Sequence, residues 1–213
     1  YLTVSRDFGR FLELRQASLD PFFAVIPWLF VVLVPAVAMR LWSEERKSGS
    51  VELLLTLPVT LPGAYLGKFL AGWTFLAFSL ALTAPVALQA ERLGNPDWGV
   101  IITGYLGCLL VAAAYLAVGM AFSAATSSQV VAFILGVVGC VSFLLIGLPQ
   151  SQQVIGSIFG GWFEQVVASL SLVDHFDAMS RGLVELPTLF FFAAFALGWL
   201  SVGMLVLDRT KSA

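Results

Sequence analysis

The chain has 213 residues, 59% of them hydrophobic and only 11% charged, with a mean hydropathy of +0.94. Soluble globular domains carry about 25% charge, so these proportions exclude a soluble core and indicate a membrane protein. A net charge of −2 excludes the basic footprint of a nucleic-acid binder. The two cysteines, Cys108 and Cys140, lie in apolar runs with no His, Asp or Cys at ligand spacing, and read as small buried thiols.

The sequence opens at Tyr1 without the short-cored, positively charged pattern of a signal peptide. Five segments then supply the roughly 17–25 apolar residues that a bilayer-spanning helix needs: 22–42, 64–88, 100–122, 129–148 and 188–207. They predict an all-α polytopic fold, one transmembrane domain over residues 1–213. Pro27, Pro35 and Pro85 fall inside these segments, where neighbouring helices can re-satisfy the backbone. "GAYLG" (63–67), "GYLGC" (104–108) and "GVVGC" (136–140) place small residues where helices can approach closely in lipid.

Between the first two spans, "SEERKSG" (43–49) is too polar to stay in hydrocarbon. Gly49 permits a turn, Ser50 is a suitable N-cap, and Glu52 sits in a first turn where the helix dipole favours an acid. "VELLLTL" (51–57) then makes fewer than two turns before Pro58 stops it. A helix this short is marginal alone, so Val51, Leu54 and Leu55 need a surface: the protein's own inner face, a partner's groove, or the membrane interface. Thr60 can cap the following helix, with Pro62 in its first turn.

"ERLGNPDWG" (91–99) and "SAATSSQ" (123–129) read as short turns, the first outer and the second inner. The stretch from Pro149 to Pro187 is long and outer. Within it Trp162, Phe163, Val166, Val167, Leu170 and Val173 recur at helical spacing on one face, with Glu164, Gln165 and Ser169 elsewhere. This predicts an amphipathic helix at the outer interface, with "GSIFGG" (156–161) allowing the backbone to reverse.

Orientation follows from the basic residues near span ends. With the 43–60 connection inside, the inner face holds Arg40, Arg46, Lys47, Lys68, Arg209 and Lys211 against four acids. The outer face then holds five arginines against nine acids. Five spans leave the two termini on opposite faces, and a sixth, first span is expected ahead of Tyr1.

No span carries an ionisable residue near its centre, so no site for a coupling proton or sodium ion is apparent. Driving energy is expected to enter from outside the membrane helices. The one near-match to a phosphate loop, "GAYLGKF" (63–69), has three residues between its glycines and Phe where Ser or Thr must hold magnesium, so it is rejected. His175, in "LVDHFDAMSRG" (172–182), is flanked by Asp174 and Asp177. A metal or proton site is conceivable there, but one histidine seldom closes a coordination shell, and a structural role in an outer loop is preferred. Its loop position also argues against an intramembrane protease.

"MRLWSEERKSGSVELLLTLPVT" (39–60) followed by "LGKFLAGW" (66–73) resembles the type-2 ABC-transporter permeases, in particular the gliding-motility-type subfamily. That subfamily shows Glu-Glu-Arg-x-x-Gly-Ser/Thr-x-Glu-Leu-Leu-Leu-x-x-Pro and then Gly-Lys-Phe. "NPDWGVIITGYLG" (95–107) and "HFDAMSRGLVEL" (175–186) resemble further parts of it. The resemblance implies a multi-pass subunit of the bacterial inner membrane that pairs with an identical or different permease subunit. It also implies a cytoplasmic ABC ATPase that carries ATP and magnesium, with no catalytic residue, cofactor or metal on this chain. By carry-over, Glu44, Glu45, Arg46 and Lys47 would lie at the ATPase interface and Gly49 would make the turn. Val51, Glu52, Leu54, Leu55 and Pro58 would belong to the docking (coupling) helix. Residues 149–187 would supply outer re-entrant helices, with Trp162, Phe163, His175, Phe176, Asp177, Arg181 and Gly182 in the outer gate segment. The family's interfacial helix and first span have no counterpart in the sequence.

The expected function is therefore the permease subunit of an ATP-driven exporter. The alternatives are a membrane scaffold for a secretion or motility machine, and a stand-alone channel or carrier. Spans rich in Phe, Leu, Val and Ala favour a hydrophobic or lipid-like cargo.

Overall fold

The computed structural model describes residues 19–50, 60–93, 96–159, 162, 169 and 171–209. Among them are α1 (Asp20–Ser48), α2 (Leu61–Ala81), α3 (Ala84–Leu93), α4 (Trp98–Ala125), α5 (Gln129–Ile146), α6 (Pro149–Phe159), α7 (Leu172–Ser180) and α8 (Leu186–Arg209). No strand occurs among the described residues. Five helical stretches are long and apolar enough to cross a membrane: α1, α2 continuing into α3, α4, α5 and α8. The all-α, five-span architecture is borne out. Phe78, Ile102, Val130, Phe190 and Leu205 are exposed, a distribution that suits lipid rather than water.

Three boundaries differ from the sequence reading, each for a physical reason. First, α1 runs on past residue 42 to Ser48. Its 29 residues make about 43 Å of helix at about 1.5 Å per residue. The hydrocarbon core is only about 30 Å thick, so the polar "SEERKS" turns extend the helix beyond it. Arg46 and Lys47 sit in the last turn, where cations suit the dipole.

Second, the segment expected as one helix over 64–88 breaks at Leu82–Thr83. Pro85 has no N–H for the Ala81 carbonyl, and its ring would crowd that carbonyl in a continuous helix. The chain instead stops and restarts, with Pro85 in the first turn of α3. Thr83 Oγ1 donates to the Leu80 carbonyl at 2.6 Å and lies 3.0 Å from the Tyr105 hydroxyl, which ties the break to α4.

Third, residues 172–180, expected as loop, form α7. Ser171 caps it, its Oγ accepting from Asp174 N at 3.1 Å, and Asp174 sits in the first turn. The same hydroxyl donates to the Gly147 carbonyl at 3.3 Å, joining α7 to the end of α5. Ser171→Ala is expected to cost about 1 kcal/mol, read as a lower melting temperature of the detergent-solubilised protein. The amphipathic face expected from 162 to 173 falls, except for Trp162 and Val173, outside the described residues.

The core is built around α4. Its apolar stretch is 56% buried, against 44% for α1 and 17–22% for the other spans. Small residues permit this. A Cβ at Gly104 would stand 2.6 Å from the Phe23 ring, and one at Gly107 would stand 3.2 Å from Phe176 and Met179. Phe23 therefore packs from α1, and Phe176 with Met179 from α7, directly onto the α4 backbone. On the far side Phe143, Phe195 and Trp199 form edge-to-face contacts at 5.0 and 5.7 Å between α5 and α8. Trp73 Nε1 donates to the Leu109 carbonyl at 3.0 Å, fixing α2 to α4. Cys108 and Cys140 are both buried and unbridged.

Candidate coupling site

One end of the bundle gathers the C-terminal turns of α1 and α4 with the first turns of α2. The α1 helix ends at Gly49, whose φ of 72° is left-handed, a conformation that glycine adopts without steric penalty. Ser48 Oγ donates to the Glu44 carbonyl at 3.0 Å and lies 2.8 Å from Ser50 Oγ. Ser50 Oγ in turn reaches the Glu45 carbonyl at 3.4 Å. The Ser50 hydroxyl thus folds back to close α1. After the connection, Thr60 caps α2 by accepting from Gly63 N at 3.4 Å, and Pro62 lies in the first turn, as the sequence reading expects. Val51, Glu52, Leu54, Leu55 and Pro58 lie outside the described residues.

The four-charge run at 44–47 divides by face. Glu44 and Lys47 are exposed, while Glu45 and Arg46 are half-buried and engaged within the chain. Arg46 Nη1 donates to the Ala124 carbonyl at the end of α4. Glu45 pairs with Lys68 of α2. Lys68 Nζ also donates to the Leu41 carbonyl at 2.6 Å and sits 3.8 Å from the centroid of the Trp42 ring. Lys68 is thereby held across the α1–α2 contact. Trp42 stacks on Tyr65 at 5.2 Å with planes 15° apart, and Tyr65 closes on α8, where a Cβ at Gly203 would run into its hydroxyl.

A second anchor comes from Ser123 of α4. Its buried hydroxyl accepts from Trp42 N at 3.2 Å and Ser43 N at 3.1 Å, and donates to the Met39 carbonyl at 2.9 Å. One side chain thereby binds three backbone groups within about a turn of α1. Lys68 lies in the Gly-Lys-Phe run (67–69), which does not name its partners, and Ser123 carries no motif. The one signal for Ser123 in the sequence is polarity close to a span end.

Away from this end, α1 and α2 diverge. A cleft of about 640 Å³ separates them, lined by Phe22, Leu29 and Val37 on one wall and Phe75, Leu76 and Val86 on the other. Its hydroxyls, Ser79 and Thr83, donate to helix carbonyls at 2.9 and 2.6 Å, which leaves a wall suited to apolar contents.

At the opposite end, His175 is on α7 rather than in a loop. Nδ1 lies 3.2 Å from Thr188 Oγ1 and Nε2 3.3 Å from the Ser169 carbonyl, and the ring stacks on Phe191 at 4.3 Å. Its flanking acids turn elsewhere. Asp174 accepts from Gln152 Nε2 at 2.9 Å, and Asp177 pairs with Arg181 at 2.8 Å on the exposed surface. The histidine thus ties α7 to Thr188 and Phe191 of α8. Phe176 is buried against α4, Gly182 ends α7 with a φ of 90°, and Trp162 is exposed. Phe163 lies outside the described residues.

No curated protein and no solved structure matches the chain. The family model described as ABC-2 family transporter protein matches residues 7–207. With its five candidate spans, the chain is a multi-pass membrane protein and the permease subunit of an ABC transporter: it belongs to the ABC-2 transporter family.

Proposed function

We propose that the chain is the membrane half of an ATP-driven exporter of the bacterial inner membrane, working with a separate cytoplasmic ABC ATPase and a second permease subunit. The ATPase carries ATP and magnesium, and it docks at the charged end, on the 49–60 connection. The observation that carries this reading is the construction of that end. Gly49 and Thr60 bracket the connection with a left-handed helix stop and a capped helix start. The helices on both sides are cross-tied to each other and to α4. A push on the connection therefore reaches three spans at once. Glu44 and Lys47, exposed beside it, supply the charged rim of the contact. At the other end α7 and its neighbours, with His175, Phe176, Asp177, Arg181 and Gly182, form the outer segment that closes the path, together with Trp162 and Phe163. The apolar cleft between α1 and α2 favours a hydrophobic, lipid-like cargo.

Purification of the full chain in mild detergent, followed by mass spectrometry, is the direct test. An ABC ATPase is expected in stoichiometric amount, with its ATP hydrolysis altered by the permease. A chain that purifies without any such ATPase from cells that express one defeats the proposal in favour of a scaffold or stand-alone channel.

A further inference from the structure

The helices α1 and α2 meet through polar and aromatic groups at one end and are held apart by the apolar cleft at the other. At the meeting point Lys68 satisfies three partners on α1: the Glu45 carboxylate, the Leu41 carbonyl and the face of Trp42. Trp42 itself is fully buried and stacked on Tyr65. The α1 side of this contact is pinned independently to α4 through Ser123 and Arg46.

Desolvating an ion pair costs about as much as its attraction returns, so such a pair is weak evidence of stabilisation. What it does supply is register. A cation held by a carboxylate, a carbonyl and an aromatic face has one position, whereas an apolar contact could slide. From this we infer that Lys68, Glu45 and Trp42 are positioning residues forming the pivot of a hinge between α1 and α2. The pivot stays closed, and displacement of the 49–60 connection is turned into a change in cleft width. The pivot lies two helical turns into α2 and one turn before the end of α1, so it sits between the connection and the cleft. The inference rests on the reading of the charged end as the place where the ATPase acts, and it assigns specific residues to the transmission step.

Pairs of nitroxide labels in the full chain, in lipid nanodiscs with its ATPase, test this. Both native cysteines are buried, so labels go to introduced ones. Arg40→Cys with Gly67→Cys reports the pivot. Both positions are exposed, and a Cβ at Gly67 meets nothing within 4 Å. Val32→Cys with Phe78→Cys, also exposed, reports the spread of the two helices. The pivot distance is expected to stay narrow and unshifted between the nucleotide-free and ATP–vanadate-trapped states, while the Val32–Phe78 distance shifts. In Lys68→Met the pivot distribution broadens and the Val32–Phe78 shift on trapping is lost, and Lys68→Arg restores both. The double variant Glu45→Gln/Lys68→Met removes the unpaired charge and recovers the melting temperature, yet its pivot distribution stays broad.

A Lys68→Met protein that melts lower but keeps both wild-type distributions reduces the pair to a stabilising contact and overturns the inference. A wild-type pivot that separates as far as the cleft on trapping overturns it as well. If no ATPase binds the chain, the proposed function fails first. The width of the nucleotide-free pivot distribution in wild type and Lys68→Met then decides the pivot by itself.

Discussion

Gly119→Ala is expected to destabilise the bundle by about 1–3 kcal/mol, the usual cost of adding a methyl group to a packed core. A Cβ at residue 119 would stand 2.6 Å from the Ala38 Cβ and 3.6 Å from the Pro35 Cα. Ala38 Cβ is fixed to its backbone and cannot rotate aside, so the two helices must separate. The third helix is packed into the same contact, since a Cβ at Gly136 of α5 would stand 3.0 Å from the Pro35 Cβ and 3.7 Å from the Gly119 Cα. The glycines of α4 and α5 thus close around a stretch of α1 where Pro35 leaves the Val31 carbonyl without its usual donor. The measurement is thermal unfolding in detergent, and a double-mutant cycle makes it specific. Ala38→Gly alone should cost about 0.5–1 kcal/mol in helix propensity, whereas Ala38→Gly/Gly119→Ala should recover most of what Gly119→Ala loses. Strict additivity of the two losses would show that these atoms do not meet.

The parts of this architecture legible in the sequence are those fixed by local chemistry. Span number follows from the length of apolar runs. The exit from α1 and the entry to α2 follow from Gly49, Thr60 and Pro62, each acting on its own turn of backbone. The α7 helix was legible too, because Ser171 three residues before Asp174 is a capping pattern. The charged residues around His175 hid it by giving the stretch a loop-like polarity. The break before Pro85 is a choice between two allowed outcomes, since a proline inside a span can bend the helix or end it. Here the Thr83 contact with Tyr105 of α4 accompanies the second.

The candidate site is harder to read because its bonds cross between helices. Periodicity assigns Lys68 to a face of α2 but says nothing of Glu45 or Leu41 on α1. Likewise Ser123 looks like one of several turn-forming residues until its hydroxyl is seen bonded to the α1 backbone. The run at 44–47 shows the same limit. All four charges look equally available to a partner, yet Glu45 and Arg46 are engaged inside the chain. The surface left for another protein is Glu44, Lys47 and whatever the connection presents.

That division sets the size of the second large effect. On the proposed docking of the connection, Leu54→Asp is expected to weaken association with the ATPase by about 30-fold or more, the equivalent of about 2 kcal/mol for a residue central to such a contact. The argument is from sequence and flanking geometry. The connection leaves α1 at a left-handed glycine and re-enters the bundle at a capped threonine, and the sequence between them reads as a helix of fewer than two turns before Pro58. In such a helix Val51, Leu54 and Leu55 are the apolar groups available to fill a groove, and a carboxylate in place of Leu54 would be buried there without a partner. Glu44→Lys and Lys47→Glu provide the contrast. As exposed rim charges they should alter the association rate and its salt dependence while leaving the dissociation rate nearly unchanged. Binding of the purified ATPase to the full chain in nanodiscs, at low and at physiological salt, separates the cases. If Leu54→Asp matches wild type while Glu44→Lys abolishes binding, the contact is electrostatic and lies on the end of α1, and the connection is not the docking element.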